Sequence, residues 1–177
     1  MTDSTMQTGF FHDQVAVITG AGQGIGFEIA RQLAAGGASV ALNDIEEELC
    51  NEAASRITAA GGTCIALPGD AADLDFIQEM VTKTISAFGQ LTIAIANAGI
   101  TSFGDFFEYR PEDFKRIINL NLQGSFFFVQ AAARRMKEQG TGGSILLMSS
   151  VTGHQAHKNL TAYGMTKAAL EMLAKGL

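Results

Sequence analysis

Five short apolar runs, each followed by a stretch of helical periodicity, constrain this sequence more than any other feature. The runs are Gln14 to Thr19, Ser39 to Asn43, Thr63 to Leu67, Leu91 to Ala96 and Ser144 to Met148. They are short, rich in β-branched residues and bounded by glycine or polar residues, the pattern of strands buried on both faces. Between them, apolar residues recur at helical spacing: Ile25 to Ala35, Ile45 to Ala60, Asp73 to Phe88, and a long helix opened by Pro111 and running to about Lys137. Gly36-Gly37 and Gly61-Gly62 stop two of these helices, and a last one begins near Thr161. Strands that alternate with helices across tight turns require parallel pairing through right-handed crossovers. The expected fold is α/β, a doubly wound parallel sheet with helices on both faces.

Composition narrows the partners. With 47% hydrophobic and 17% charged residues the chain has material for one core and lies outside the disordered range. Its net charge of −6, with no cluster of Lys and Arg, argues against nucleic acid or an anionic membrane as the main partner. Residues 1–13 are expected to form a flexible polar arm, with no secretory apolar segment, and residues 14–177 one domain. No run reaches the roughly 18 apolar residues of a spanning helix, so a cytoplasmic protein is expected. Cys50 and Cys64 lack metal-ligand spacing and read as inert thiols, with no metal expected.

In a doubly wound sheet, ligands bind beyond the carboxyl ends of the strands, where strand order reverses. The first such end is Thr19-Gly20-Ala21-Gly22-Gln23-Gly24-Ile25-Gly26, with a helix starting inside it. Glycines there let the backbone turn sharply and approach a pyrophosphate, which the free N–H groups and positive end of the helix attract. Asp44 ends the second strand 18 residues past Gly26, where a carboxylate accepts ribose hydroxyls and repels a 2′-phosphate. The expected cofactor is therefore NAD rather than NADP. A turn that merely joins strand to helix is the plain alternative, and the strand, helix and acidic residue in sequence argue against it.

Tyr163 and Lys167 stand four apart near the start of the last helix, on one face. A phenol ordinarily ionises near pH 10, and an ammonium held close favours its phenolate. By itself such a pair more often marks a solvated helix face. Ser150, at the end of the fifth strand, adds a hydroxyl that faces the same crevice, so a donor and a phenol can converge on one substrate oxygen.

Taken together, Thr19-Gly20-x-x-x-Gly24-x-Gly26, Asn97-Ala98-Gly99, Asn121, Ser150 and Tyr163-x-x-x-Lys167 resemble the motif set of the short-chain dehydrogenase/reductase family, from about Gln14 to the last residue. The general look is similar to glucose-type dehydrogenases and to 3-oxoacyl carrier-protein reductases. The resemblance implies a Rossmann-like NAD(P)-binding domain and hydride transfer between a nicotinamide and a secondary alcohol or ketone. It implies that Tyr163 is the general acid/base, that Lys167 assists it and binds the nicotinamide ribose, and that Ser150 holds the substrate oxygen. Asn121 would hold a water that relays protons through Lys167; without the resemblance an Asn inside an apolar helix reads as a structural residue. Gly20, Gln23, Gly24, Ile25, Gly26, Asp44, Asp70, Ala71, Asn97, Ala98 and Gly99, with Tyr163 and Lys167, would line the cofactor. Ala96 stands where the family often has a second Asn.

Other residues stay open. His154 and His157 lie in the loop between Ser150 and Tyr163 and read as solvated rather than substrate-binding. Phe103, Phe106 and Phe107 suit either a substrate pocket or a cover for the next helix. A noncatalytic dinucleotide-binding or scaffold protein is the alternative of another class, and a methyltransferase sheet would not need Ser150, Tyr163 and Lys167 in this arrangement. The family forms dimers or tetramers by pairing the long helix and the last one, so a homo-oligomer, a homotetramer in its common form, is implied. Its domain usually has two strands more than this chain supplies, so the resemblance implies a piece of a longer enzyme, inactive or weakly stable alone.

Overall fold

The computed structural model describes residues 9–177. Strands β1 (Val15–Ile18), β2 (Ser39–Leu42), β3 (Thr63–Ala66), β4 (Ile93–Ala96) and β5 (Ser144–Leu147) form one parallel sheet of order β3-β2-β1-β4-β5. The Rossmann-like α/β architecture expected from the sequence is therefore present. Strand order reverses between β1 and β4, and the crevice opens there.

Each strand sends alternate residues to opposite faces. Ala16, Ile18, Val40 and Leu42 pack under α1 (Gly24–Ala35) and α2 (Glu47–Ala59). Val17, Ala41, Ala94 and Ala96 meet α3 (Leu74–Phe88) and α5 (Ser125–Gln139) on the other face. Burial on both faces is why these strands read as unbroken apolar runs rather than alternating ones. At the sheet edge only one face of β5 is covered: Ile145 and Leu147 join the second cluster, while Leu146 is 47% exposed.

The predicted long helix is interrupted. It runs as α4 (Pro111–Ile117), a π-helical segment (Ile118–Gly124) and then α5. Two close approaches accompany the wider turns: Asn121 is fully buried and hydrogen-bonded to the backbone of Ile100, and a Cβ on Gly124 would lie 2.4 Å from the Ala71 carbonyl oxygen. A one-residue widening leaves apolar spacing nearly unchanged, so periodicity alone does not reveal it.

Helix α6 (Thr161–Gly176) packs on the π-helical segment and on a 3₁₀ turn, Val151–Gly153, that follows β5. The start of the domain is tied down before β1. Phe11 N–H donates to Gly36 at 2.9 Å and Ser39 N–H to Gln14 at 2.9 Å, so residues 9–13 form a turn against the end of α1. The rest of the expected arm, residues 1–8, lies outside the described residues. Among the described residues no helix is long and apolar enough to cross a membrane.

Candidate active site

The turn after β1 is built for close backbone approach. Gly20 and Gly24 have φ of 62° and 61°, a region side chains disfavour. A Cβ on Gly26 would lie 2.4 Å from the Gly20 carbonyl oxygen and 2.5 Å from Asn97 Nδ2, so α1 begins flush against the turn it leaves. Among the described residues nothing lies within 4 Å of the position a Gly24 Cβ would take. Gln23 precedes α1 without capping it through its side chain, so the first-turn amides face that open space with the positive helix end behind them.

Asn97 holds the other wall. Its Nδ2 donates to the carbonyls of Thr19 and Gly20 at 3.0 and 2.8 Å, and its N–H donates to Thr19 Oγ1 at 3.1 Å. Ala98 N–H also donates to that hydroxyl, at 3.0 Å. Thr19, 3% exposed, thus ties the ends of β1 and β4 together across the reversal point. Its place in the turn motif alone does not announce that role.

Asp44 receives the Gly22 amide on Oδ2 at 3.0 Å and the Glu46 amide on Oδ1 at 3.2 Å, which fixes its carboxylate at the rim. Asp70 Oδ1 accepts from Ala72 N–H at 2.8 Å. A cleft of about 360 Å³ gathers Gly20, Gln23, Asp44, Asp70, Asn97 and Gly99 along one wall or another. Asn43 lines it too, a residue that no local motif marks. Its Nδ2 donates to Leu67 and Gly69 while its buried Oδ1 has no donor among the described residues. The donor groups of an adenosine suit that acceptor, and the open glycine turn suits a pyrophosphate. The residues present therefore fit a dinucleotide.

Lys167 is buried, 4% exposed, and its Nζ donates to the Met148 carbonyl at 2.7 Å. Desolvation pushes its pKa below the usual lysine range. The same Nζ lies 5.6 Å from the centre of the Tyr163 ring. A Cβ on Gly99 would be 3.2 Å from Asn121 Oδ1 and 3.6 Å from Lys167 Nζ, so these three meet at the end of β4. Ser150 caps the 3₁₀ turn, accepting from Thr152 N–H and Oγ1 at 3.3 and 3.0 Å. That turn presses on α6 beside Tyr163, because a Cβ on Gly164 would come within 2.8 Å of the Thr152 carbonyl oxygen. The fold thus brings Asn121, Ser150, Tyr163 and Lys167 to one end of the sheet.

The phenylalanines go elsewhere. Phe103, Phe106 and Phe107 are 73%, 71% and 89% exposed, and Phe106 lines a separate cavity of about 310 Å³ with Tyr109, Phe114 and Met165. None of the four catalytic candidates lines that cavity.

Comparison with known proteins places this geometry in a class. A family model described as short chain dehydrogenase matches residues 14–177, and the chain belongs to that family. The chain is 41% identical over 162 residues to an L-rhamnose 1-dehydrogenase (NAD(P)(+)) of Azotobacter vinelandii, covering 89% of this chain and 63% of that protein. It is 35% identical to an L-rhamnose-1-dehydrogenase of Scheffersomyces stipitis, covering 92% and 65%. Among solved structures, an NAD+-bound xylitol dehydrogenase superposes with a TM-score of 0.89 at 29% identity, covering 93% of this chain and 63% of that one. A short-chain type dehydrogenase/reductase from Mycobacterium marinum gives 0.90 at 33% identity, covering 94% and 66%. The chain thus spans a little under two thirds of the length of the relatives it matches.

Proposed function

We propose that the full protein is an NAD-dependent oxidoreductase interconverting a secondary alcohol and its carbonyl form on a sugar or polyol. The observation that carries the reading is the buried Lys167 ammonium, fixed by the Met148 carbonyl with its Nζ 5.6 Å from the Tyr163 ring. Tyr163, held beside that lysine, would take the alcohol proton during oxidation and return it during reduction. Ser150 would hold the substrate oxygen by its hydroxyl, oriented by the 3₁₀ turn it caps. Bound at the glycine turn, the nicotinamide cofactor supplies or accepts the hydride. Asn121 commits its amide to Ile100 and Thr166, which leaves one Oδ1 lone pair for a water on the path from Lys167.

The preference for NAD rests on Asp44 at the rim of a cleft whose lining, among the described residues, contains no Lys or Arg. The sugar or polyol rests on the names of the relatives. A dimer or tetramer, acting in the cytoplasm, completes the reading; exposed Phe106, Phe114, Met165 and Met172 on and beside α4 and α6 give it an apolar surface to bury.

The test is turnover of aldoses and polyols by the full-length protein with NAD, followed by nicotinamide absorbance. Tyr163→Phe should bind NAD and lose turnover, and a fully active Tyr163→Phe enzyme would sink the reading. NAD-induced thermal stabilisation without turnover on any alcohol would favour a noncatalytic dinucleotide-binding protein instead.

A further inference from the structure

We propose that Glu171 is a positioning residue for this reaction: from α6 it holds the end of β5 and the following turn, and through them sets Ser150 against Tyr163. The inference rests on the oxidoreductase reading above. Its basis is one carboxylate that grips the chain on both sides of Ser150. Glu171 Oε1 accepts from the Ser149 hydroxyl at 2.7 Å, and Oε2 lies 3.0 Å from His154 Nδ1. Ser149 immediately precedes Ser150, and His154 follows the 3₁₀ turn that Ser150 caps.

Glu171 stands one helical turn beyond Lys167, so both project from the same side of α6. Together they hold one short stretch of chain. Lys167 Nζ binds the Met148 carbonyl at 2.7 Å, the Lys167 carbonyl oxygen lies 3.1 Å from Ser149 Oγ, and Glu171 takes Ser149 and His154. The loop runs tight on the helix, since a Cβ on Gly153 would be 2.7 Å from Glu171 Oε1 and 3.1 Å from the Ala168 nitrogen.

The two bonds differ in weight. His154 is 70% exposed at its side chain, and a solvated contact of that kind contributes little. The Ser149 bond is short, made to a charged acceptor on a carboxylate only 20% exposed, and so carries the constraint. Glu171 lines neither the cofactor cleft nor the apolar cavity, and its carboxylate oxygens lie against Ser149 and His154 rather than hydrogen-bonding to the proposed reacting groups. Its effect on catalysis runs through Ser150, whose displacement by about 1 Å is enough to cost on the order of 100-fold in rate.

The experiment compares Glu171→Ala, Glu171→Gln, Ser149→Ala and His154→Ala in the full-length enzyme, measuring kcat, KM, NAD affinity and thermal midpoint. Glu171→Ala should lower kcat about tenfold or more while NAD affinity stays within about twofold of the parent. Glu171→Gln keeps an acceptor for Ser149 and should recover most of that loss. Ser149→Ala should reproduce the Glu171→Ala defect, and combining the two should add little, because they remove the same bond. His154→Ala should cost less than either. If Glu171→Ala does not fold, Glu171→Gln and Ser149→Ala carry the test. A kcat within twofold of the parent in Glu171→Ala, or in Ser149→Ala where Glu171→Ala is unfolded, overturns the proposal, as does kcat falling in step with NAD affinity. Tyr163→Phe and Ser150→Ala in the same assay separate the two readings: if they are inactive while the Glu171 variants work normally, only the role of Glu171 falls. If Tyr163→Phe turns over normally, both fall.

Discussion

Asn121 and Ile100 exchange two hydrogen bonds, Ile100 N–H to Oδ1 and Nδ2 to the Ile100 carbonyl, each 2.9 Å. The carboxamide acts as a one-residue strand partner for the chain leaving β4, and it does so from inside the π-helical segment. A partly buried peptide group that a neighbouring strand would otherwise satisfy is satisfied by a helix side chain.

Replacing Asn121 by Leu removes both bonds and leaves the Ile100 amide and carbonyl without partners. The expected cost is about 2–4 kcal/mol, read as a shift in urea midpoint with the slope unchanged. Asn121→Asp should cost a similar amount, because it keeps the acceptor for the amide but sets an oxygen against the Ile100 carbonyl. Parent-like stability in both variants would show that the pairing carries no weight.

Asp44 should govern the choice of dinucleotide. In Asp44→Ala the ratio of kcat/KM for NAD over NADP should fall at least about tenfold, equivalent to about 1.4 kcal/mol. NAD affinity itself should weaken as well, because the Gly22 amide loses its acceptor. An unchanged ratio would remove Asp44 from the specificity argument.

Lys167 gives a pH signature. Burial lowers its pKa in the folded state, whereas an unfolded chain has an ordinary lysine with the reference value 10.5. The folded state therefore holds this proton less tightly, and stability contributed through Lys167 rises as pH climbs from the depressed pKa toward 10.5. Against Lys167→Met, which has no titrating group there, the stability difference should move in favour of the parent across that interval. A difference that stays flat with pH would refute it.

Both thiols should be unreactive in the native protein. Burial pushes the Cys64 thiol up to about 12, and burial raises Cys50 as well. Since the thiolate is the nucleophile, an aromatic disulfide reagent at pH 8 should leave the folded protein unlabelled and label both cysteines in urea. Fast labelling of the folded chain would contradict this.

The elements legible in the sequence are those that local pattern specifies. The apolar runs became strands within a residue or two, although β4 begins at Ile93 rather than Leu91 and α2 at Glu47 rather than Ile45. Leu91 is nonetheless fully buried and packs with α3 and α5, which is why it read as part of the strand. The residues at strand ends were legible too, since the strand–turn–helix order itself carries Gly20, Gly24 and Gly26 to the crevice. Less visible were residues whose role lies in what they touch. Nothing adjacent to Thr19, Asn43, Ser149 or Glu171 announces a partner 22 to 79 positions away along the chain.

The sequence by itself determined the alternation of strand and helix, the glycine turn after β1, the acidic end of β2 and the four-residue spacing of Tyr163 and Lys167. These follow from backbone sterics and periodicity, which act over a few residues. Only the tertiary structure decided that Asn121 spends its amide on Ile100, that the long helix widens into a π-helical segment beside Ala71, and that Lys167 and Glu171 hold the end of β5. Those outcomes depend on which buried polar groups meet across the packed layers, and each must find a partner because water is excluded there.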